Sequence, residues 1–181
     1  MTMTATENDK TLSPIGGLDA DAFKAAFRHH AAGVAVITAD NGRGPAGLTA
    51  TSVFSVSAEP ALLVFSLSQL SSSAPTIAES DTVVVHLLGV DQLAIAQLFA
   101  TSGIDRFANT ALWDRLDSGE PYLPSAATWI RGRIVSRMNA GTSTVVAVHA
   151  LETGAGDQAG APLVYHNRSW HGLGSHTALD G

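Results

Sequence analysis

The chain has 181 residues, of which 45% are hydrophobic and only 14% are charged, and its formal net charge is −6. This composition fits one globular domain, and an acidic balance without a cluster of Lys and Arg argues against a nucleic-acid-binding surface. The absence of cysteine excludes disulfides, thiolate metal sites, iron–sulfur clusters and a cysteine nucleophile. So few charges indicate that part of the surface is shared with a partner subunit.

We expect a soluble, cytoplasmic protein with one folded domain. No apolar run approaches the roughly 18 residues that a membrane span needs, and the first residues lack the apolar segment of a secretory signal. Polar composition predicts a disordered tail over residues 1–16. The domain is expected over 17–174, followed by a short C-terminal tail over 175–181.

The first half of the domain predicts a helix followed mainly by strands. Asp19 or Asp21 is placed to cap a short helix, in which Phe23 and Phe27 are spaced i, i+4. β-branched and apolar runs separated by turn residues then predict strands. These strands are Val34–Thr38, Ala46–Ser57, Ala61–Ser68 and Thr82–Leu88, with a short helix between Ser73 and Ser80. The run Ala61–Ser68 is almost continuously apolar, which is typical of a strand buried on both faces.

The second half predicts one more helix and three more strands. Asp91 is placed to cap a helix that ends at Ala100, and Gly and Pro interrupt any periodicity over 101–124. The strands are Trp129–Met138, Ser143–Ala150 and Leu163–His166, the last after a loose hairpin loop at 154–162. Strands outnumber helices and mostly follow one another directly. This favours an all-β fold, an antiparallel Greek-key-like barrel with a few peripheral helices, over a doubly wound α/β sheet.

Short hydroxyl side chains are dense over residues 47–80, between predicted strands. They are Thr49, Thr51, Ser52, Ser55, Ser57, Ser66, Ser68, Ser71, Ser72 and Ser73. Short side chains let a planar ring approach the backbone, whose polar groups can bind the edge of the ring, and hydroxyls before a helix can hold a phosphate. The alternative is that these residues only decorate strand surfaces and cap a helix.

Other residue types give weaker signals. Arg106 is placed to contact a phosphate or the rim of a ring system, the alternative being a surface ion pair with Asp105. The seven histidines are dispersed, and His29 and His30 would point about 100° apart on a helix, so we expect no metal site. The chain has no P-loop, and no GxSxG or GxGxxG motif follows a strand.

Six segments occur in an order and spacing that resemble one known family. They are FRHHAAGVAVITA (27–39), GLTATSVFSVSAEPALLVFSL (47–67), SSSAPTIAES (71–80), LAIAQLFATSGIDRF (93–107), GEPYLPSAATWIRGRIV (119–135) and PLVYHNRSWHGL (162–173). Together they resemble the flavin reductase-like, FMN-binding split-barrel family, whose members supply reduced flavin to two-component monooxygenases. The resemblance covers about Phe23 to Leu173, most of the chain.

The resemblance implies a flavin site and a reaction. It places the isoalloxazine ring against Thr49, Ala50, Thr51 and Ser52, and the ribityl phosphate near Ser66, Ser71, Ser72, Ser73 and Arg106. It implies FMN, with FAD as the alternative flavin, reduction of the flavin by NAD(P)H, a homodimer with flavin at or near the interface, and a flavin-dependent monooxygenase as partner. No acid–base residue is assigned, because flavin brings its own hydride chemistry.

Three departures from the family pattern bear on the function. Thr51 stands in the Thr-Ala-Asn-Ser motif where Asn is frequent, and His86 stands at the Asn of a Val-Asn-Val-Leu strand. Gly141-Thr142-Ser143 stands where many members have Gly-Asp-His, whose His is linked to the nicotinamide. The leading hypothesis is therefore an NAD(P)H:flavin oxidoreductase, with two alternatives: a flavin-binding protein with weak or no reductase activity, and a β-barrel interaction module.

Overall fold

The computed structural model describes residues 16–155 and 160–179. The predicted N-terminal tail therefore lies outside the described residues except for Gly16, and so does the middle of the predicted loop 154–162. The helices are α1 (Ala20–Arg28), α2 (Ala74–Glu79) and α3 (Leu93–Ala100). The strands are β1 (Ala32–Gly33), β2 (Ala35–Asp40), β3 (Pro45–Ala50), β4 (Phe54–Ala58), β5 (Ala61–Ser68), β6 (Thr82–Leu87), β7 (Asp114–Arg115), β8 (Pro121–Tyr122), β9 (Thr128–Ala140), β10 (Ser143–Ala155), β11 (Leu163–His166) and β12 (Ser169–Gly172).

Seven strands form one antiparallel sheet in the order β3-β2-β6-β9-β10-β5-β4. A second sheet has the order β1-β11-β12, and β7 pairs only with β8. The two edges of the large sheet, β3 and β4, are consecutive in the chain and are joined by only Thr51–Val53. So short a connection holds the ends of the two edge strands within roughly 14 Å of each other. The sheet is therefore curled into a barrel that is split between β3 and β4, and the all-β prediction is confirmed.

Two hydrophobic clusters lie on opposite faces of the curled sheet. The inner cluster fills the barrel and includes Ile37, Leu48, Leu63, Phe65, Leu67, Ile77, Val83, Val85, Val146 and Val148. The outer cluster includes Val34, Val36, Leu88, Ile95, Phe99, Phe107, Leu123 and Leu163. Because side chains alternate along a strand, Val36 faces α3 and the 101–126 segment while Ile37 faces the barrel interior. Strands β2 and β6 are consequently buried on both faces.

Most predicted elements are confirmed, and the differences have physical causes. The predicted strand Ala46–Ser57 is two strands, because the chain leaves the sheet at Thr51–Val53. The prediction that Ala61–Ser68 is buried on both faces is wrong: Leu63, Phe65 and Leu67 are buried, while the alternate residues are half-buried or exposed. A continuous apolar run in the sequence does not show whether other residues of the same chain cover the second face of the strand.

Asp91 does not cap α3, which corrects a further expectation. A 3₁₀ turn over Val90–Gln92 precedes α3, and the Gln92 side chain accepts a hydrogen bond from the Gly89 N–H at 2.6 Å. The Asp91 carboxylate instead accepts from the Gln92 side-chain amide at 2.8 Å. Asp19, by contrast, caps α1 as predicted, accepting from the N–H groups of Asp21 and Ala22.

His86 is fully buried in β6 and bonded at both ring nitrogens. Its Nδ1 lies 3.0 Å from the Val36 carbonyl oxygen, and its Nε2 lies 3.0 Å from the Leu123 N–H, which donates to it. Nε2 must therefore be unprotonated and Nδ1 must carry the hydrogen, so the neutral ring joins β2 to the segment after β8. Burial lowers the pKa of His86 from 6.5 to about 4, against the opposing effect of the Val36 carbonyl.

We predict that this histidine makes the fold sensitive to mild acid. The unfolded chain binds the His86 proton more readily than the native one does, so the free energy of unfolding falls as pH falls from about 6.5 towards 4. The expected loss between pH 7 and pH 5 is about 2 kcal/mol, measured by urea unfolding at both values. His86→Asn keeps a donor and an acceptor without titrating, so its loss should be smaller by that amount. Equal losses in both proteins would contradict the assignment.

Candidate functional site

A groove of about 470 Å³ opens at the split between β3 and β4. Seven of the nine residues predicted to bind the cofactor line it: Thr49, Ala50, Thr51, Ser52, Ser66, Ser71 and Arg106. Ser72 and Ser73 do not. The groove also has Leu48, Ser68, Leu70, Phe99, Ala100 and Ser102 along its walls. Six of the ten hydroxyl residues of the 47–80 segment thus line one concave surface, while Ser55, Ser57, Ser72 and Ser73 lie outside it.

The floor of the groove is the segment that leaves the sheet. None of the three residues Thr51–Val53 has a ladder partner among the described residues, because the β2–β3 pairing ends at Ala50 and the β4–β5 pairing begins at Phe54. The Ser52 hydroxyl fixes this segment to β5, accepting from the Ser66 N–H at 3.0 Å and donating to the Ser66 carbonyl at 3.3 Å. The Ser52 side chain thereby replaces the missing ladder hydrogen bonds and leaves the peptide groups of this segment at the groove.

Arg106 clamps three elements together at one end of the groove. Its Nε and Nη2 donate to the Thr101 carbonyl after α3, and its Nη1 donates to the Gly47 carbonyl of β3 at 3.0 Å. Nη1 also donates to the Ser73 hydroxyl at 2.8 Å. Burial lowers the pKa of the Arg106 guanidinium. One N–H of Nη2 has no acceptor among the described residues, and it is the donor that remains for a ligand.

The alternative of a surface ion pair between Arg106 and Asp105 is not what the structure shows. Asp105 accepts instead from the Phe107 N–H at 2.9 Å. No carboxylate lies within ion-pair distance of Arg106 in the part of the chain that the structure describes.

The three consecutive serines that precede α2 have different surroundings. Ser73 is buried, and its hydroxyl donates to the Gly47 carbonyl at 2.6 Å while accepting from Arg106. Ser72 contacts Arg106 only at 3.4 Å. Ser71 lines the groove, and its hydroxyl accepts from the Ser73 N–H at 3.3 Å. Of these three serines, only Ser71 both lines the groove and has a hydroxyl hydrogen that no described residue accepts.

Helix α3 contributes Phe99 and Ala100 to the wall of the groove and packs very closely on β3. Thr49 donates its hydroxyl to the Ala96 carbonyl at 2.6 Å. A side chain at Gly47 would place its Cβ 2.7 Å from the Phe99 ring, so glycine is required where the ring crosses the strand. Thr49 thus lines the groove, but its hydroxyl hydrogen is already donated to the Ala96 carbonyl of α3.

A larger cavity of about 850 Å³ adjoins the groove and shares Thr51 and Ser52 with it. It lies between α1 and the β11–β12 hairpin, and sequence reasoning missed it. Its lining comes from residues far apart in sequence: Phe23, Lys24, Phe27, Arg28, His30, Ala31, Ala32, Gly33, Val53, Phe54, Tyr165, His166, Asn167 and Arg168. The strand β12 that completes the hairpin was also not predicted, so nothing indicated that these residues converge.

The turn Gly141–Thr142, which joins β9 to β10, lies next to the serine-rich end of the groove. Gly141 has a φ of +61°, which favours glycine. The Thr142 carbonyl accepts from the Gln69 N–H at 3.0 Å, and Ser143 pairs with Ser68. The segment that departs from the family's Gly-Asp-His pattern is therefore adjacent to the groove.

Comparison with known proteins decides the family. The family model described as "Flavin reductase like domain" matches residues 27–174. The chain belongs to the flavin reductase-like family. The resemblance and the split-barrel fold that it implied are confirmed.

Relatives of this flavin reductase-like protein cover most of its length. An "NADH:FMN oxidoreductase" of Rhodococcus qingshengii is 42% identical over 160 residues, covering 86% of this chain and 82% of the relative. The reductase component of a 4-nitrophenol 4-monooxygenase/4-nitrocatechol 2-monooxygenase of Rhodococcus opacus is 31% identical, with 82% and 78% covered. The crystal structure of a flavin reductase domain protein from Arthrobacter sp. FB24 is 37% identical with a TM-score of 0.82, covering 89% of this chain and 98% of that one.

Within residues 16–155 and 160–179, no group of three or more His, Asp or Glu side chains is arranged to hold a metal ion. No helix in the same ranges is long and apolar enough to cross a membrane.

Proposed function

We propose that this protein is an NAD(P)H:flavin oxidoreductase that uses FMN and NADH. The observation that carries the proposal is the hydroxyl-lined groove at the barrel split of a flavin reductase-like chain, where seven predicted cofactor-binding residues meet. The names of the relatives support both substrates, since the Rhodococcus qingshengii protein is an NADH:FMN oxidoreductase. FAD remains the alternative flavin.

The groove fits a flavin mononucleotide by size and by chemistry. Its volume lies in the range of small-molecule sites. Ala50 and Ser52 are small enough for a planar ring to approach the peptide groups of Thr51–Val53. At the other end, the Ser71 hydroxyl and the remaining N–H of Arg106 are donors suited to a phosphate. Bound FMN supplies the hydride chemistry, and the residues of the chain bind and orient it.

We propose two kinds of protein partner. A flavin-dependent monooxygenase is the first, because the Rhodococcus opacus relative is the reductase component of such a system.

The second is another copy of this chain. The outer face of β5 and its neighbours carries Phe54 at 62% exposure and Met138 at 60%, and the register aligns Phe54 with Val64 and Met138 with Val145 on that face. Helices α2 and α3 pack on β2 and β3 instead, which leaves this apolar surface for a C₂ partner.

Ser71→Ala should weaken FMN binding much more than riboflavin binding, because only FMN carries the phosphate. A hydrogen bond to a charged group is worth about 1.5–3 kcal/mol, so we expect a loss of roughly tenfold or more in FMN affinity. Fluorescence titration with both flavins measures the difference. Similar losses for the two flavins would exclude Ser71 from phosphate binding.

Ser72→Ala and Ser73→Ala are the matched controls for that measurement. Ser72 lies outside the groove, so its variant should bind both flavins as the wild type does. Ser73→Ala removes a buried hydroxyl from the Arg106 clamp and should lower the free energy of unfolding by about 1–3 kcal/mol, which distinguishes loss of the clamp from loss of the Ser71 donor.

We predict measurable but poor use of NAD(P)H, with a high KM, because Thr142-Ser143 replaces Asp-His beside the groove. Ser143→His should lower the KM for NADH with little change in kcat, if the histidine only assists binding. Steady-state kinetics on both proteins measures this. A low-micromolar KM in the wild type that Ser143→His leaves unchanged would refute the prediction. Failure of both proteins to oxidise NADH or NADPH would favour the flavin-binding alternative with weak or no reductase activity.

The homodimer is tested by sedimentation. We expect a dimer at micromolar concentration, and Met138→Glu should weaken it by placing charge in the apolar face. Leu179, which is 95% exposed and follows β12 in the chain, gives the control variant Leu179→Glu. A species of 18.7 kDa in the wild type would overturn the proposal.

A further inference from the structure

An aromatic stack runs outward from the wall of the groove. Phe99 lines the groove, and its ring meets the Phe107 ring edge to face, with 5.3 Å between the centroids and 89° between the planes. Phe107 in turn meets the Trp113 ring at 5.2 Å and 90°. The two phenylalanines are buried, whereas Trp113 is half-buried at the end of the stack. Because perpendicular ring contacts are directional, each ring restricts the orientation of its neighbour.

The backbone of Phe107, the residue that follows Arg106, is fixed at both of its polar groups. Its N–H donates to the Asp105 carboxylate at 2.9 Å, which orients the peptide that joins Arg106 to Phe107. Its carbonyl accepts from the indole N–H of Trp113 at 3.0 Å, which orients the next peptide. Since each residue has only two soft backbone dihedral angles, these two bonds restrict the position from which the Arg106 side chain starts.

Trp113 is itself held to the barrel from its other side. The guanidinium carbon of Arg115 lies 5.6 Å from the Trp113 ring centroid, which is a cation–π distance. Arg115 also donates to the carboxylate of Asp40, the last residue of β2, at 2.7 Å. Packing in the outer cluster requires only an apolar ring, but tryptophan adds the donor that reaches the Phe107 carbonyl. Trp113 thus connects β2 to the loop that carries Arg106.

We propose that Trp113 is a positioning residue for the flavin phosphate, because its indole N–H fixes the Phe107 carbonyl and thereby the placement of Arg106 at the groove. The proposal rests on the flavin site of the proposed function, in which the remaining N–H of Arg106 meets the phosphate of FMN. The other N–H groups of Arg106 are bound to the protein. A shift of the Arg106 backbone must therefore lengthen those bonds or turn the remaining N–H away from the phosphate, and hydrogen bonds weaken steeply with angle.

The test compares Trp113→Phe with the wild type, because phenylalanine keeps an aromatic ring and removes the indole donor. We expect the dissociation constant for FMN to rise about fivefold, which corresponds to one hydrogen bond. The dissociation constant for riboflavin, which has no phosphate, should equal that of the wild type. Fluorescence titration measures both constants, and thermal unfolding checks that the variant is folded. In turnover with NADH, the KM for FMN should rise by the same factor while kcat stays unchanged.

Two control variants separate the donor from the packing of the ring. Trp129→Phe makes the same substitution at a tryptophan that packs against Tyr122 and Gly154, does not line the groove, and donates its indole N–H to no described residue. It should bind both flavins as the wild type does. Phe107→Leu breaks the aromatic stack but keeps the backbone carbonyl that Trp113 binds, so any loss should be equal for FMN and riboflavin.

A double-mutant cycle tests whether Trp113 acts through Arg106. Arg106→Lys keeps a charge for the phosphate, so that FMN binding stays measurable, but it lacks the fixed donors of the guanidinium. In that background Trp113→Phe should cause no further loss of FMN affinity, because the group that Trp113 positions is absent. A further loss of about fivefold in the Arg106→Lys background would show that Trp113 acts independently of Arg106, and would overturn the proposal.

The remaining outcomes distinguish this proposal from the proposed function. Equal losses for FMN and riboflavin in Trp113→Phe, or lower thermal stability with unchanged FMN affinity, would give Trp113 a purely structural role and overturn the proposal. The titrations need no turnover. If FMN binding depends on Trp113 as expected but the wild type does not oxidise NADH or NADPH, the reductase function fails while the positioning role stands.

Discussion

The geometry of the groove depends on how the split in the barrel is held open. A seven-stranded sheet that closed completely would pair β3 with β4 and leave no polar backbone at the surface. Arg106 fixes one side of the split by binding β3, the end of α3 and the start of α2 through a single planar guanidinium. Lysine cannot reproduce these contacts, because its point charge lacks donors in several fixed directions. The Ser52 hydroxyl holds the other side of the split to β5.

The hydroxyl groups of this region therefore serve two purposes that the sequence does not distinguish. Thr49, Ser52 and Ser73 use their hydroxyl hydrogens on backbone carbonyls of the scaffold. Thr51, Ser66 and Ser71 line the groove, and their hydroxyl hydrogens have no acceptor among the described residues. The scaffold hydroxyls set the position of the others. A buried hydroxyl without a partner would be costly, and no described buried side-chain polar atom lacks one.

Local patterns in the sequence predicted the parts of the fold that depend on local rules. Apolar runs between turn residues located β5 and β6, and Asp19 marked the start of α1. The exposed second face of β5 and the burial of Ser73 depend on which distant elements pack there, so periodicity could not predict them. The order of the motifs revealed the family resemblance, and the resemblance identified seven residues that line the groove. In the sequence, His86 could be recognised only as a replacement for the family's Asn. Its two hydrogen-bond partners, Val36 and Leu123, are distant in sequence and could not be predicted.

A flavin reductase that supplies a partner enzyme must release its flavin, and the groove is suited to that. Most N–H groups of Arg106 are committed to the protein, so a phosphate would meet one free N–H and the Ser71 hydroxyl rather than a full bidentate clamp. Arg28 and Arg168, which have no carboxylate partner among the described residues, line the adjoining cavity instead. A flavin phosphate in the groove would therefore meet little charge, and weak binding of the phosphate favours exchange of the flavin.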